Sequence, residues 1–481
     1  MVEVEDENIV MTYRYKILFW LQSLLLLVFF ATCGYAAKVS PTDYGLKEAR
    51  NGVERYWAIY RAHIAALEIG AIVDYEGIGS LGIEIPMDGK SIPLTRETDF
   101  CNLKLTVTNK SKSIFLFEMT NPAKPITVQK RDVDKGNFTD NDELCNGMYL
   151  LILKDENLWV KNRRGYTYGH TRRDLLLINR GKSKNKPVSY YDNNETKVSA
   201  TYCQAMPDKK IIKGLTLYRD EQSTQQTFLF RLQNQYNLEL SDIEIHTPKD
   251  TLVNDQIISL ENCYKVMFKN VLIDGSYSRK DYSGYGITMN NVYDVRFDNL
   301  RGNANWGIFG NNNVNKAILK NCDINRFDVH CYGKDITFKK CKFRNLYNQF
   351  SSIKGSVIFD DCEFFQFTPV LFEYSFNAYS KFNLVFKKCV IHVDKSRPFL
   401  INGGNLYGEI TSERAELKKQ EYPNLSIDGL TIYMPEDVNQ YFIYKFGKNI
   451  KQSPLDQTPN LIRYKNVKMI PSEKREVLFC K

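Results

Sequence analysis

The middle of the sequence holds side chains that could transfer protons and bind anions. They are two carboxylates, three guanidinium groups, a phenol, an indole and an imidazole. In chain order the residues are Asp274, Arg279, Tyr285, Trp306, Arg326, Asp328, His330 and Arg344. A carboxylate, a His and a Tyr on adjoining elements can abstract or donate a proton. Arg binds a carboxylate or sulfate through two parallel hydrogen bonds, and the aromatic rings could stack on a pyranose. We predict two groups: catalytic residues Asp274, Tyr285, Asp328 and His330, and acidic-sugar-binding residues Arg279, Trp306, Arg326 and Arg344.

A structural interpretation of the same residues competes with the catalytic one. A polar residue recurs four positions after the Asn or Lys of each phrase. Asn270 is followed in this way by Asp274, Asn299 by Asn303, Asn321 by Asn325 and Lys340 by Arg344. A recurring position of this kind would stack along one edge of a repeating fold. The Asn residues could then form turn ladders, and Asp328 and His330 could simply satisfy a loop.

A second cluster, from Asn162 to Arg173, is basic and aromatic. Its members are Arg163, Arg164, Tyr166, Tyr168, His170, Arg172 and Arg173. A hairpin arm that folds over a groove would bring these side chains to the first cluster, so we predict that Arg163, Arg164, Tyr168 and His170 bind substrate. The alternative is a solvated basic hairpin.

A short phrase, apolar-x-apolar-x-x-apolar, recurs between residues 238 and 393. It ends at Ile243, Val271, Leu300, Cys322, Cys341, Cys362 and Cys389. A period of about 20–30 residues is typical of solenoids and propellers. The alternation predicts strands with one buried face, and the repeat is too short for a four-stranded blade. Each repeat is therefore predicted to be one turn of a parallel β-helix, whose core closes by stacking like residues on like.

This stacking predicts specific inner files of side chains. One continuous file should contain Phe268, Phe297, Leu319, Phe338, Phe359 and Phe386. The four Cys residues that end successive phrases should form a second file. We interpret them as small buried hydrophobes, since the close Cys spacing of most zinc sites is missing from the sequence.

The regions that flank the repeat complete an all-β domain over residues 38–481. Apolar residues on one helical face predict a helix over 47–70 that caps the first coil. Residues 118–213 are predicted to be irregular loops and an arm, 226–393 regular coils, and 394–481 further coils. The acidic stretch Asp132 to Glu143 has its glycine misplaced for a calcium loop, so we expect no metal and no cofactor.

These elements resemble a known superfamily. The helix, the short strand ending at Pro86, and the Lys-Asn and Lys-Cys phrases resemble pectate-lyase-like proteins, which are right-handed parallel β-helices. The stretches 162–170, 305–310 and 326–333 look more closely like uncharacterised exported bacterial β-helix proteins. The resemblance implies the fold but no single activity, because the superfamily includes lyases, hydrolases, epimerases and non-enzymes. The Asp-Asp and Gly-His-Gly elements of polygalacturonase-type hydrolases are absent as a set.

The N-terminus has the pattern of an export signal. Arg14 and Lys16 precede an apolar run, and small residues follow it, which predicts a signal peptide over 1–37. The protein is then expected in the periplasm, at the cell surface or in the medium. Contact with a membrane is expected only if Cys33 is lipidated.

The formal net charge of +9 is spread over 481 residues without a long basic block. This does not favour nucleic acid as a partner, and an anionic polysaccharide suits the sign equally well. Three functions remain open: an enzyme, lyase or hydrolase, acting on acidic polysaccharide; a non-catalytic surface protein that binds glycan or a partner; and a trimeric envelope spike. The sequence leaves the oligomeric state open.

Overall fold

The computed structural model shows almost every described segment as β-strand. It describes residues 37–161, 170–188, 197–225, 227–247, 257–274, 285–302, 307–345, 347–351, 353–366, 368–374, 381–396, 398–406, 409–410, 423–445, 461–471 and 476–480. The helices are a 3-10 turn (Pro41–Tyr44), α1 (Gly52–Ile69) and α2 (Lys130–Lys135). The predicted signal peptide lies outside the described residues, apart from Ala37. No helix in the described ranges is long and apolar enough to cross a bilayer.

The strands fall into four groups along the chain. The first coils contain β1 (Lys38–Val39), β2 (Ile72–Asp74), β3 (Ser80–Ile85), β4 (Ile92–Pro93), β5 (Glu97–Asn109) and β6 (Ile114–Thr120). An inserted sheet contains β7 (Lys124–Gln129), β8 (Met148–Lys161), β9 (His170–Asn179), β10 (Lys182–Ser183) and β11 (Lys197–Gln204). The middle coils contain β12 (Lys210–Arg219), β13 (Thr227–Gln233), β14 (Tyr236–His246), β15 (Ile258–Asp274), β16 (Tyr285–Gly302), β17 (Gly307–Lys320), β18 (Asp323–Ile324), β19 (Phe327–Lys339), β20 (Lys342–Asn345), β21 (Asn348–Phe350), β22 (Ile353–Asp360), β23 (Glu363–Gln366), β24 (Val370–Tyr374) and β25 (Lys381–His392). The last coils contain β26 (Phe399–Leu406), β28 (Asn424–Tyr433), β29 (Gln440–Lys445), β30 (Ile462–Ile470) and β31 (Glu476–Cys480), whereas β27 (Glu409–Ile410) pairs antiparallel with β8 of the inserted sheet.

Successive coils pair in parallel and in register, so like positions lie above one another. The predicted aromatic file is confirmed, because Phe268 pairs with Phe297, which pairs with Leu319 and so on to Phe386. Cys322, Cys341, Cys362 and Cys389 are each 1% exposed and lie in reduced form. Burial raises the pKa of the Cys362 thiol far above its usual range, as expected for an inert core residue.

The corners of the coils are built from residues in the left-handed conformation, which Asn and Asp adopt more readily than other non-glycine residues. One file of corners contains Asn234, Asn262, Asn291 and Asn313, with φ between 52° and 61°. Their side-chain amides donate to one another from coil to coil at 3.0, 2.9 and 2.7 Å. A second ladder of this kind links Asn270 to Asn299 on the outside. Asn270 and Asn299, which belong to the repeated phrase, therefore have a structural role at these corners.

The helix α1 falls within the predicted range 47–70 and packs on the first coil. Asn51 caps its N-terminus by accepting a hydrogen bond from the Glu54 amide at 2.9 Å. Its buried residues Tyr56, Ile59 and Ala62 join the core that runs through the coils. The helix thus covers apolar residues at the N-terminal end of the solenoid.

His63 on α1 predicts an acid-sensitive end of the solenoid. Its ring is fully buried, with Nδ1 2.8 Å from the Pro93 carbonyl and Nε2 2.8 Å from the Tyr75 hydroxyl. The carbonyl can only accept, so Nδ1 carries the proton and Nε2 accepts from Tyr75. Burial lowers the pKa of His63 to about 3. The unfolded chain, with an ordinary pKa of about 6.5, takes up the proton first as the pH falls.

The stabilisation from neutral His63 is therefore complete above pH 6.5 and is lost as the pH falls from 6.5 towards 3. We expect the free energy of unfolding to drop by about 3 kcal/mol between pH 7 and 4.5 from this group. Urea unfolding of wild type and His63→Asn at several pH values measures it. Equal slopes of stability against pH in the two proteins would contradict the assignment.

Strands β7 to β11 form an antiparallel sheet in the order β10-β9-β8-β11-β7, within the range 118–213 where we expected irregular loops and an arm. The sheet has its own core, which includes Val133, Leu151 and Leu176. On its other face, Leu150 and Leu175 pack against Tyr264 of the coils. Burial on both faces removes the alternation that would have revealed the strands.

Asn311 is a polar residue in an otherwise apolar inner file. It pairs with Met289 on one side and Val329 on the other, is 0% exposed, and neither amide atom has a hydrogen-bond partner among the described residues. A buried amide without partners destabilises a fold by about 1–3 kcal/mol. We therefore expect Asn311→Leu to leave the free energy of unfolding unchanged or raise it.

Asn315→Leu is the matched comparison for Asn311→Leu. Asn315 is also buried, but its amide donates to Asn313 at 3.2 Å, so its replacement should destabilise the protein. Thermal and urea unfolding of both variants give the comparison. Marked destabilisation by Asn311→Leu would show that its amide is satisfied in the folded protein.

Candidate functional site

Four of the predicted residues come together from two coils that are separated by a third: Tyr285, Arg326, Asp328 and His330. Tyr285 begins β16, Arg326 immediately precedes β19, and Asp328 and His330 lie within β19. Strand β17 lies between them and pairs with both neighbours. The side chain of Tyr285 therefore has to cross β17 to reach β19.

Two glycines of β17 allow this crossing. A Cβ on Gly310 would lie 2.5 Å from Tyr285 Cδ2, and one on Gly307 would lie 3.3 Å from Tyr285 Cε1. With no side chains there, the Tyr285 ring lies directly on the backbone of β17. Its hydroxyl reaches His330 Nε2 at 2.9 Å and Asp328 Oδ2 at 3.2 Å.

His330 occupies an irregularity in the pairing of β17 with β19. Asn311 pairs with Val329, but Asn312 pairs with Cys331, so His330 is the extra residue of a β-bulge. Bulges are common next to functional sites because they redirect a side chain. The His330 side chain is 17% exposed and lies 3.7 Å from Asp328 Oδ2.

A buried ion pair lies beneath the side chains of Tyr285 and His330. Arg326 Nε donates to Asp328 Oδ1 at 2.5 Å, with side-chain exposures of 1% and 0%. Arg326 also donates to Gln349 Oε1 at 2.9 Å and lies over the Tyr347 ring at 4.6 Å. Burial disfavours the charged guanidinium, but the charge of Asp328, the neighbouring Tyr285 and Tyr347 and the hydrogen bond to Asp328 together outweigh burial, and the pKa of Arg326 is raised. Arg326 was predicted to bind substrate; its burial instead makes it the partner that holds Asp328 in place.

A cleft of about 310 Å³ opens beside Tyr285 and His330. Its other lining residues include, on three coils, Ser259, Glu261, Thr288, Asn290, Gly310 and Asn312. The volume lies at the lower end of the range for small-ligand sites. Asp328 does not line the cleft, so only Tyr285 and His330 of the cluster face a ligand there.

The other predicted residues lie away from this cluster or outside the described ranges. Asp274 faces His246, with Oδ2 3.8 Å from Nδ1. Arg344 makes two hydrogen bonds to Asp323, at 2.7 and 2.8 Å, and lies over the Phe365 ring. The residues outside the described ranges are Arg163, Arg164, Tyr168, Arg279 and Trp306. His170 begins β9, where its backbone pairs with Val160. The described part of His170 is this backbone and does not include its side chain.

Strand β9 runs along the corner file next to the cleft. The coil residues Asn291, Asn313 and Tyr332 donate to the β9 carbonyls of Asp174, Arg173 and Thr171 at 3.3, 2.7 and 3.0 Å. Strand β9 of the β8–β9 hairpin is thereby fastened beside the site. Arg173 Nη1 lies 4.0 Å from Glu261 Oε1 at the cleft.

Sequence reasoning missed Ser259, Glu261, Thr288, Asn290 and Asn312. They occupy outward positions on the strand segment before each corner. The available signal was their spacing: Glu261, Asn290 and Asn312 each precede a corner Asn by one residue.

Gly310→Ala tests the crossing of Tyr285 over β17. The added methyl must displace the Tyr285 ring, which we expect to destabilise the protein by about 1–3 kcal/mol. Gly82→Ala is the control, since its Cβ would meet only the end of the Arg55 side chain at 3.7 Å. In the Tyr285→Ala background, Gly310→Ala should cost much less. An equal cost with and without the Tyr285 ring, measured by urea unfolding, would contradict the contact.

Within the described residues, no group of three or more His, Cys, Asp or Glu side chains is arranged to hold a metal ion. No protein-family model matches the chain, and no curated protein matches it in sequence.

Solved structures match the fold over most of the chain. The tailspike of Pseudomonas phage phi297 is 11% identical with a TM-score of 0.50, covering 89% of this chain and 80% of that one. The chain is a right-handed parallel β-helix. This confirms the right-handed parallel β-helix fold that the repeat and the resemblance predicted.

Two further structures are similar with lower scores. The tailspike of Acinetobacter baumannii bacteriophage AP22, solved in complex with A. baumannii capsular saccharide, is 9% identical with a TM-score of 0.48, covering 92% of this chain and 76% of that one. The A-module of a mannuronan C-5 epimerase from Azotobacter vinelandii is 10% identical with a TM-score of 0.33, covering 89% of this chain and 99% of that one. At these identities the likeness concerns the fold alone.

Proposed function

We propose that the cleft beside Tyr285 and His330 binds an acidic polysaccharide and that these two side chains transfer protons on it. The observation that carries the proposal is the Tyr285 hydroxyl, held 2.9 Å from His330 Nε2 at the edge of a cleft. A phenol and an imidazole in contact can act as general acid and base.

Asp328 acts through Tyr285 and His330 and does not contact the ligand itself. It is 0% exposed and paired with Arg326, so it cannot touch a ligand. Its second oxygen, Oδ2, accepts from the Tyr285 hydroxyl at 3.2 Å. Asp328 is therefore a positioning residue that fixes the direction of the Tyr285 hydroxyl, and Arg326 fixes Asp328.

The residue types favour elimination over hydrolysis. Glycosidases use two carboxyl groups on either side of the scissile bond, whereas Glu261 is the one carboxylate among the described lining residues. In elimination from a uronic acid, a base removes the proton on the carbon that bears the carboxylate. The neighbouring C–O bond then breaks, a C=C bond forms, and the leaving oxygen takes a proton from an acid. Tyr285 and His330 supply one acid and one base for this reaction.

The test is turnover on a panel of uronic-acid polymers, followed by the ultraviolet absorbance of the unsaturated product. We expect activity on at least one polymer and a loss of about 10²–10⁴-fold in Tyr285→Phe and in His330→Gln. Tyr433→Phe is the matched control, since this Tyr is 42% exposed on β28 and does not line the cleft. Full turnover by either cleft variant would overturn the assignment.

A non-catalytic glycan-binding protein is the second candidate. The burial of Asp328 favours this second function, because the hydrogen bonds among Arg326, Asp328 and Tyr285 would then serve only to keep the Tyr285 ring in place as a binding surface. This function predicts affinity for polysaccharide without turnover. Tyr285→Ala should then weaken binding, measured by calorimetry, while every polymer is recovered intact.

Export is the remaining part of the proposal. It rests on the pattern of residues 1–37 alone, and cell fractionation measures it directly.

A further inference from the structure

Two outward rows of side chains run from coil to coil along the cleft. In the first row Ser259 pairs with Thr288, and Thr288 with Gly310. In the second row Glu261 pairs with Asn290, and Asn290 with Asn312. Neighbouring strands of a sheet are about 4.8 Å apart. The rows therefore form a track parallel to the axis of the β-helix, which suits an extended chain of sugars.

The two ends of this track differ in charge. Tyr285 and His330 stand at the β19 end, and Glu261 stands on β15 at the other end. Three strand spacings separate β15 from β19, which is about 14 Å. A saccharide that reaches the Tyr285 hydroxyl with one ring would place another ring beside Glu261.

The negative charge of the Glu261 carboxylate is not neutralised by the neighbouring Arg173. Arg173 Nη1 lies 4.0 Å away, both side chains are about one-third exposed at 31% and 35%, and Arg173 also donates to Thr171 Oγ1 at 3.4 Å. A partly exposed pair at this distance contributes little. Glu261 thus repels a second carboxylate but accepts hydrogen bonds from hydroxyl or amide groups.

The polar side chains between the two ends have unused hydrogen-bonding capacity. Within the described residues, Ser259, Thr288 and Asn290 make no side-chain hydrogen bond, and Asn312 Oδ1 is buried without a partner. Polar groups in a site that are left unpaired select a ligand able to pair with them. Hydroxyl groups and amides match hydroxyl-bearing sugars.

We propose that Glu261, Asn290 and Ser259 form a second subsite that takes an uncharged, hydroxyl-rich or N-acylated sugar and excludes a uronic acid. This inference rests on the proposed function, because it assumes an acidic sugar at Tyr285 and His330. It names the substrate class as a mixed polymer, with acidic and uncharged residues in one chain. A polymer made only of uronic acids would bring a carboxylate against Glu261.

The test compares two kinds of fragment of equal length, with the full chain in calorimetric titrations. One is a hyaluronan fragment, in which glucuronate alternates with N-acetylglucosamine, and the other is a fragment of polygalacturonate. Wild type should bind the alternating fragment at least tenfold more tightly. Glu261→Gln should reduce this preference about tenfold by gaining affinity for polygalacturonate. Glu244→Gln, at a 53%-exposed carboxylate on β14 outside the cleft, should leave the preference unchanged.

The outcomes separate this inference from the function on which it rests. Equal binding of both fragments, with the ratio unchanged in Glu261→Gln, overturns the subsite and leaves glycan binding intact. Binding of neither fragment by wild type, or binding unaffected by Tyr285→Ala, overturns glycan recognition at this cleft and the subsite with it. Thermal unfolding of Glu261→Gln checks that the partly exposed substitution has not altered the fold.

Discussion

Replacing Arg326 with Met is expected to destabilise the folded protein by about 3–5 kcal/mol, because it leaves the carboxylate of Asp328 buried without its cation. Asp328 is 0% exposed, and its neighbours Tyr285 and His330 cannot supply a permanent charge. The desolvation of an unpaired carboxylate is thus uncompensated. Urea unfolding, monitored together with hydrogen exchange in β17 and β19, measures the loss.

Two comparisons separate lost charge from lost packing at Arg326. Arg344→Met removes a pair with Asp323 whose side chains are 39% and 36% exposed, so it should cost no more than about 1 kcal/mol. The double replacement of Arg326 by Met and Asp328 by Leu should recover much of the stability, since no buried charge remains. A loss for Arg326→Met no larger than that for Arg344→Met would contradict the buried pair.

Phe338→Ala is the second substitution with a large expected effect, at about 3–5 kcal/mol. The Phe338 ring is 0% exposed and stacks on Phe359 with centroids 4.8 Å apart and an angle of 10°. It also meets the edges of Phe327 and Phe343, at 5.2 Å each. Truncation leaves a cavity among these three rings, which are held in place by the coils, so the surroundings cannot close over it.

The damage from Phe338→Ala should stay near its coil, because each coil of a solenoid contacts mainly its neighbours. Hydrogen exchange should accelerate most in β17, β19 and β22, and least in β5 and β6. Tyr464→Ala is the matched control, since Tyr464 ends the same file on β30 and is 57% exposed. Uniform acceleration along the whole chain, or an equal effect of Tyr464→Ala, would contradict a core built from stacked files.

The core could be predicted from the sequence because one position repeats. Phe268, Phe297 and Phe338 recur within the same phrase, and register follows directly from the phrase once the coils stack. The same logic placed the Cys file. Strands with both faces buried, such as the segment around Leu150 and Leu151 in β8, carry no period of this kind, and the inserted sheet was missed.

The site could be predicted in part. Tyr285, Asp328 and His330 were grouped by chemistry and position, and the structure brings them into contact. Their geometry depends on features with no local signature: two glycines beneath a ring from another coil, and a bulge at His330. The burial of Arg326 likewise depends on Gln349, which lies 23 residues further on. A guanidinium in the sequence looks the same whether it meets a ligand or a buried carboxylate.

The most direct test of the account is a crystal structure of the protein with a bound oligosaccharide that contains uronic acid. We predict sugar density along the cleft, with one ring within hydrogen-bonding distance of the Tyr285 hydroxyl and His330 Nε2. Sugar bound only elsewhere on the coils, with the cleft beside Tyr285 left to solvent, would contradict the central claim.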